Sequence, residues 1–140
     1  MPDKYTLDAS VAAKWFNNES LTDKAVQVRD AFVEGRIGLL APEHLVYEVG
    51  NAIWKNKALA AGDATTAIKN LVDLELELVR LTPELAANAM KIARDSSITF
   101  YDAAYVMLAN HLDAPLISAD SVMLSKSKKS MHLKDFRVRD

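Results

Sequence analysis

Hydrophobic positions along the chain switch between a period of two and a period near 3.6, and that switching predicts alternating strands and helices. Tyr5, Thr6 and Leu7 read as a strand, followed by a short helix through "SVAAKWF". In "SLTDKAVQVRDAFVEG", Leu21, Ala25, Val28 and Phe32 fall at helical spacing, with Gly35 as the stop. "RIGLLAP" is a strand closed by Pro42, and "EHLVYEVGNAIWKNKALAAG" a long helix with the stripe Leu45, Val49, Ala52 and Ile53. Gly62-Asp63 is expected to interrupt it, and "DATTAIKNLVDLE" to start another helix. A short strand is expected near Leu78–Leu81. Thr82 then caps, and Pro83 opens, a helix using Leu85, Ala89, Ile92 and Ala93. "TFYDAAYVMLANHL" is helical and apolar on nearly every side, the mark of a central helix. "APLIS" reads as a strand, 120–129 as a helix and "MHLKDFRV" as an edge strand.

Such alternation implies a parallel sheet covered by helices on both faces. No repeat, low-complexity tract or linker divides the 140 residues, which are expected to form one domain over 1–140. With 50% hydrophobic and 26% charged residues, the composition is that of a soluble globule able to build its own core. The absence of cysteine excludes disulfides and thiolate metal sites. No apolar run approaches the ~18–20 residues of a membrane span, and "MPDKYTLDAS" lacks the plan of a signal peptide. A cytoplasmic protein without membrane contact is expected. The net charge of −2, from 17 basic and 19 acidic residues, gives no general attraction for nucleic acid. Residues 124–139, however, hold six Lys/Arg against one Asp, a local positive patch.

Acids stand where chemistry is expected in such a fold. Open parallel sheets bind ligands beyond the carboxyl ends of their strands. Asp8 follows the first strand and Asp120 follows "PLIS". Asp102 opens the apolar helix, and Glu48 lies about 40° from Ala52 at ~100° of turn per residue, so it flanks the buried stripe. Each acid alone has an ordinary explanation. Asp after a strand is a common N-cap, "TFYD" fits a capping box, and Glu48 can pair with a lysine. Convergence of all four would be different. Close carboxylates raise one another's pKa, and a hard divalent cation relieves the conflict; oxygen-only ligands suit Mg²⁺ or Mn²⁺. Such a metal activates water and polarises phosphorus, which is phosphodiester hydrolysis chemistry.

The segments "LDASV" (7–11), "YEVGNAIW" (47–54), "TFYDAAYVMLA" (99–109) and "LISAD" (116–120) together resemble the PIN-domain ribonucleases, in particular toxins of the VapC type. The resemblance covers essentially the whole chain. It implies a three-layer α/β/α fold around a parallel sheet of about four or five strands. It makes Asp8, Glu48, Asp102 and Asp120 the acidic quartet that holds at least one Mg²⁺ or Mn²⁺. Ser118 matches a Thr or Ser two residues before the last acid, while Ser10 and Asn51 fall where polar residues support the ligands. The implied activity is endonucleolytic, metal-dependent cleavage of RNA by water. Homodimerisation and an inhibitory antitoxin, its C-terminal segment lying across the active-site groove, are further implications. Some relatives carry another acid soon after the last Asp; "SVML" follows Asp120 here, which thins the support for a second metal.

Other chemistries fit less well. His44, His111 and His132 show no zinc-ligand spacing and read as surface or structural residues. No glycine-rich phosphate loop is present, and Ser10, Ser118 and Ser121 lack a neighbouring histidine base. Trp15 and Trp54 are expected to anchor helix packing. Lys126, Lys128, Lys129 and Arg137, set beside an acidic site, would be phosphate contacts that position RNA. Two alternatives remain: a non-catalytic binding module of the same fold, or a receiver-like phosphoacceptor. The latter needs paired acids after the first strand and an Asp on a central strand, whereas "DASV" has one acid and "IGLLAP" none.

Overall fold

Alternation along "IGLLAP" shows how the sheet is covered. Leu39 and Ala41 are buried in one hydrophobic cluster, and Leu40 between them is buried in another, because successive strand side chains point to opposite faces. In the computed structural model, which describes residues 3–138, the elements run β1 (Asp3–Leu7), α1 (Ala9–Ala13), α2 (Thr22–Val33), β2 (Ile37–Pro42), α3 (Leu45–Lys55), α4 (Ala61–Asp73), β3 (Glu77–Val79), α5 (Pro83–Ser96), α6 (Phe100–His111), β4 (Leu116–Ser118), α7 (Ser121–Lys126) and β5 (Ser130–His132). The strands form one sheet in the order β3-β2-β1-β4-β5, and every pair is parallel.

This is the expected three-layer α/β/α architecture. Right-handed crossovers put α1 to α4 over one face and α5 to α7 over the other. The observed packing agrees: α1 lies against α3 and α3 against α4, while α5 lies against α6 and α6 against α7. From β1 the chain steps outward through β2 to β3, then returns to place β4 on the other side of β1. The carboxyl ends of β1 and β4 therefore flank a topological switch point, where such sheets open a crevice. A receiver-like domain would show the order 2-1-3-4-5, so the strand order removes that alternative.

The central helix is as apolar as its sequence. Ala103 to Ala109 are all buried, and the Thr99 side chain accepts from Asp102 N–H at its start. Thr82 likewise accepts from Leu85 N–H, with Pro83 opening α5. Gly35 adopts φ 74° just past α2, a conformation that favours glycine.

Five elements differ in extent from expectation. Helix α3 ends at Lys55 and does not run to Gly62, because Asn56 turns extended and spends its side chain locally. Its Oδ1 accepts from Ala58 N–H and its Nδ2 donates to Asn17 Oδ1, the competition with helical bonding that asparagine offers. Gly62 and Asp63 then fall inside the first turn of α4. Strand β3 occupies Glu77–Val79, earlier than Leu78–Leu81, because its pairing with β2 stops at Pro42. Helix α7 ends at Lys126, and β5 stops at His132, whose Nδ1 accepts from Lys134 N–H and starts a 3-10 turn over Leu133–Asp135. Trp15 is an anchor as expected, donating from Nε1 to Ala25 O at 2.7 Å. Trp54 is not: it is 74% exposed, because the buried stripe Leu45, Val49 and Ile53 leaves it on the opposite side of α3.

Candidate functional site

Asp8 is the residue that β1 delivers to the switch point. It is buried, and its Oδ2 accepts from two hydroxyls, Ser10 Oγ and Ser118 Oγ, each at 2.7 Å. Burial pushes its carboxyl above the ordinary value. The hydroxyls of Ser10 and Ser118 and the Ser10 amide draw it back, while the charge of Glu48 adds to the push. Ser118, the last residue of β4, is wholly buried and also accepts from Asp120 N–H at 2.9 Å. Asp120 in turn caps α7, its Oδ1 accepting from Val122 N–H at 2.9 Å and Met123 N–H at 3.4 Å. The ordinary capping role expected of such an Asp is therefore real, and its Oδ2 takes no part in the cap.

Glu48 projects from α3 and is half-buried. Its Oε1 accepts from the Tyr105 hydroxyl at 2.8 Å and lies 3.2 Å from His44 Nε2. His44 Nε2 also sits 3.2 Å from Tyr101 O. Both neighbours are acceptors only, so Nε2 carries the hydrogen in either charge state. Burial acts to raise the Glu48 carboxyl, but the hydrogen bonds from His44 and Tyr105 and the histidine charge outweigh it and hold the group below its ordinary value. Asp102 goes the other way. Burial raises it, and Glu48 and Asp120 raise it further by charge repulsion, against smaller opposing effects from Thr99 and His44. Burial pushes the Tyr105 hydroxyl up, with Glu48 adding to the effect, so it stays a donor.

These acids share one cleft of about 270 Å³, lined by Asp8, Ala9, Ser10, Ala13, Glu48, Ala52, Asp102, Asp120 and Met123. The donor set is all oxygen, and the charges of Glu48 and Asp120 bear on Asp102. That chemistry fits a hard divalent ion. Among the described residues no three His, Cys, Asp or Glu side chains lie close enough together to hold an ion as they stand.

The supporting residues divide. Ser10 and Ser118 are in place, whereas Asn51 is exposed and does not line the cleft, where Ala52 lies instead. Lys126, Lys128, Lys129 and Arg137 do not line the cleft. Lys128 and Lys129 precede β5 and line a separate pocket with Asp3 and Lys4, at the amino ends of the strands, and Lys129 pairs with Asp113. Lys126 closes the far end of α7 from Asp120. Arg137 gives its Nη1 to the carbonyls of Lys134 and Phe136. Two residues at the acids were not singled out by sequence. His44 precedes Glu48 by one helical turn, a spacing that puts the two on one face. Tyr105 shares the helix of Asp102 but reaches Glu48.

A PIN domain family model matches residues 5–129. The exonuclease VapC9 of Pyrobaculum aerophilum is 29% identical over 140 residues, across 99% of this chain and 97% of its own length. The ribonuclease VapC3 of the same organism is 28% identical over 127 residues, across 88% and 94%. Among solved structures, PAE2754 from Pyrobaculum aerophilum superposes with a TM-score of 0.69 at 24% identity, over 96% of this chain and 93% of that one. FitAcB from Neisseria gonorrhoeae superposes at 0.70 and 13% identity, over 94% and 99%. With nearly the whole chain inside the family model, the protein belongs to the PIN domain family.

Proposed function

We propose that the protein is a metal-dependent endoribonuclease of the VapC type, hydrolysing RNA phosphodiester bonds at the Asp8, Glu48, Asp102 and Asp120 cleft. The observation that carries the reading is the convergence of four acids, remote in sequence, on one cleft at the switch point of a PIN domain. The names of the two relatives, an exonuclease and a ribonuclease, support a nuclease.

Asp8, Glu48, Asp102 and Asp120 would hold the ion, at least one Mg²⁺ or Mn²⁺. When bound, it supplies a lowered pKa for water, polarisation of the phosphate and neutralisation of the clustered charge. Ser10 and Ser118 hold the Asp8 carboxylate in one orientation, as supporting hydrogen bonds do for metal ligands generally. Tyr105 and His44 fix Glu48 and keep it ionised. Asp8, raised by burial, and Asp102, raised by burial and by the charges of Glu48 and Asp120, hold a proton more tightly than ordinary carboxyls, and that proton must leave before the oxygen can ligate.

The VapC names of the relatives support a toxin reading with an antitoxin as partner; a homodimer is part of the same proposal. Purified protein should cleave RNA with Mg²⁺ or Mn²⁺, lose cleavage in EDTA, and lose it in Asp8→Asn and Asp102→Asn variants that keep the parent's circular dichroism. Cleavage of a covalently closed circular RNA distinguishes internal cutting from digestion at ends. Undiminished cutting in EDTA would refute the mechanism.

A further inference from the structure

A polyanion approaching this cleft meets carboxylates, so the cations that hold it must lie at the same edge of the sheet. The lysines of residues 126–129 do not. A second groove does, with a volume of about 340 Å³ and a lining of Pro42, Glu43, His44, Tyr47, Val79, Arg80 and Leu81. Pro42 and Val79 pair at the carboxyl ends of β2 and β3. In the register Thr6↔Leu40, Pro42 stands level with Asp8. Arg80 follows β3, two strands from β1, which is about 10 Å across the sheet at ~4.8 Å per strand.

Three features of the groove point to one kind of occupant. Arg80 is exposed, and its guanidinium makes no side-chain hydrogen bond or ion pair among the described residues. Tyr47 is 80% exposed, on the helix that carries Glu48. The groove also adjoins the cleft through His44. That ring lines the groove, contacts Glu48, and packs edge-on against Tyr101 at 5.3 Å and Tyr105 at 5.2 Å. A free cation beside a free aromatic face is how proteins grip one nucleotide of a single strand, by phosphate pairing and base stacking together. Glu43 adds an acceptor that suits a base amino group and opposes a second phosphate.

We propose that this groove is a nucleotide subsite beside the reacting phosphate, with Tyr47 stacking an unpaired base and Arg80 pairing with its phosphate. The inference rests on the nuclease reading of the adjoining cleft. It names a specificity site that the acids alone do not supply, and it puts the RNA path across β2 and β3 instead of along β5.

The test is fluorescence anisotropy with a short labelled single-stranded RNA and its duplex, in EDTA, using the parent chain so that binding is read without cutting. Tyr47→Ala should weaken single-strand binding roughly 5–150-fold, the range for one stacked base, and leave duplex binding unchanged. Arg80→Ala should weaken it too and flatten the slope of log K against log salt by about 0.7, one single-strand phosphate; Arg80→Lys should recover most of the salt slope. Lys128→Ala with Lys129→Ala should bind as the parent. Single-strand binding unchanged in both Tyr47→Ala and Arg80→Ala overturns the subsite. If the parent meanwhile cleaves RNA with added Mn²⁺, the nuclease reading survives that failure. A parent that neither binds nor cleaves RNA overturns both.

Discussion

Ser118 Oγ donates to Asp8 Oδ2 at 2.7 Å across the seam between β4 and β1, and the same oxygen accepts from Asp120 N–H. One wholly buried hydroxyl thus sets the positions of two acids from different strands. Ser118→Ala should remove the donor to a buried carboxylate and orphan a backbone amide. The expected stability loss is about 1–3 kcal/mol, and the expected fall in Mn²⁺ affinity is roughly 10–100-fold. Ser118→Thr should recover much of both. Thermal unfolding and calorimetric titration with Mn²⁺ measure the two effects, and an unchanged Mn²⁺ affinity in Ser118→Ala would count against the role.

Asp8→Asn should make the metal-free protein more stable at neutral pH while abolishing cleavage. Burial raises the Asp8 carboxyl in the folded state, so the folded chain holds that proton more tightly than the unfolded chain. The contribution of the group is fully present below its unfolded pKa and is lost as pH rises through the folded value. An uncharged amide, still able to accept from Ser10 and Ser118, escapes that loss. In EDTA the variant's melting temperature should exceed the parent's at pH 8, and the gap should close toward pH 4. Each kcal/mol recovered moves the midpoint by roughly 3–5 °C at this chain length. A variant that is less stable at pH 8 would contradict the argument.

What could be read from the sequence was the architecture and the meeting of Asp8 with Asp120, because both follow from where strands end. Asp8 and Asp120 come just after apolar strands, and the switch between β1 and β4 brings those ends together. The basic patch was misplaced for an instructive reason. Residues just before a strand lie at the opposite edge from residues just after one, and Lys128 and Lys129 come just before β5. The same rule that located the acids separates these lysines from them. Trp54 was misread because an aromatic after an apolar run can fall on either side of a helix, and only the stripe Leu45, Val49, Ile53 shows which. Tyr105 stayed hidden because seven consecutive buried residues, Ala103 to Ala109, leave no polar face from which its direction could be inferred.

Tyr105→Phe should separate the electrostatic role of that ring from its packing. The phenyl ring fills the same space, so the fold should persist, with a loss of about 1.5–3 kcal/mol for a hydrogen bond to a charged group. Removing the donor leaves burial less opposed at Glu48, so its carboxyl rises. The acid limb of the pH–rate profile for RNA cleavage should then move to higher pH, with kcat falling at pH 6 more than at pH 8. A variant with lower activity but an unmoved profile would reduce Tyr105 to packing.

Metal binding should itself release protons, and this follows from the acids being unequal. Asp8 and Asp102 both stand above the ordinary carboxylate value, Asp8 mainly through burial and Asp102 through burial and the charges of Glu48 and Asp120. Each must be ionised to ligate, so affinity for Mn²⁺ should weaken as pH falls through their raised values, earlier than for ordinary carboxylates. Calorimetry in buffers of different ionisation enthalpy reads the released protons directly. Release should grow on the acid side of neutrality and shrink in Asp102→Asn, which has one raised group fewer. Binding with no proton release at any pH between 5 and 7 would mean that the ion sits away from Asp8 and Asp102, and the four-acid centre would have to be abandoned.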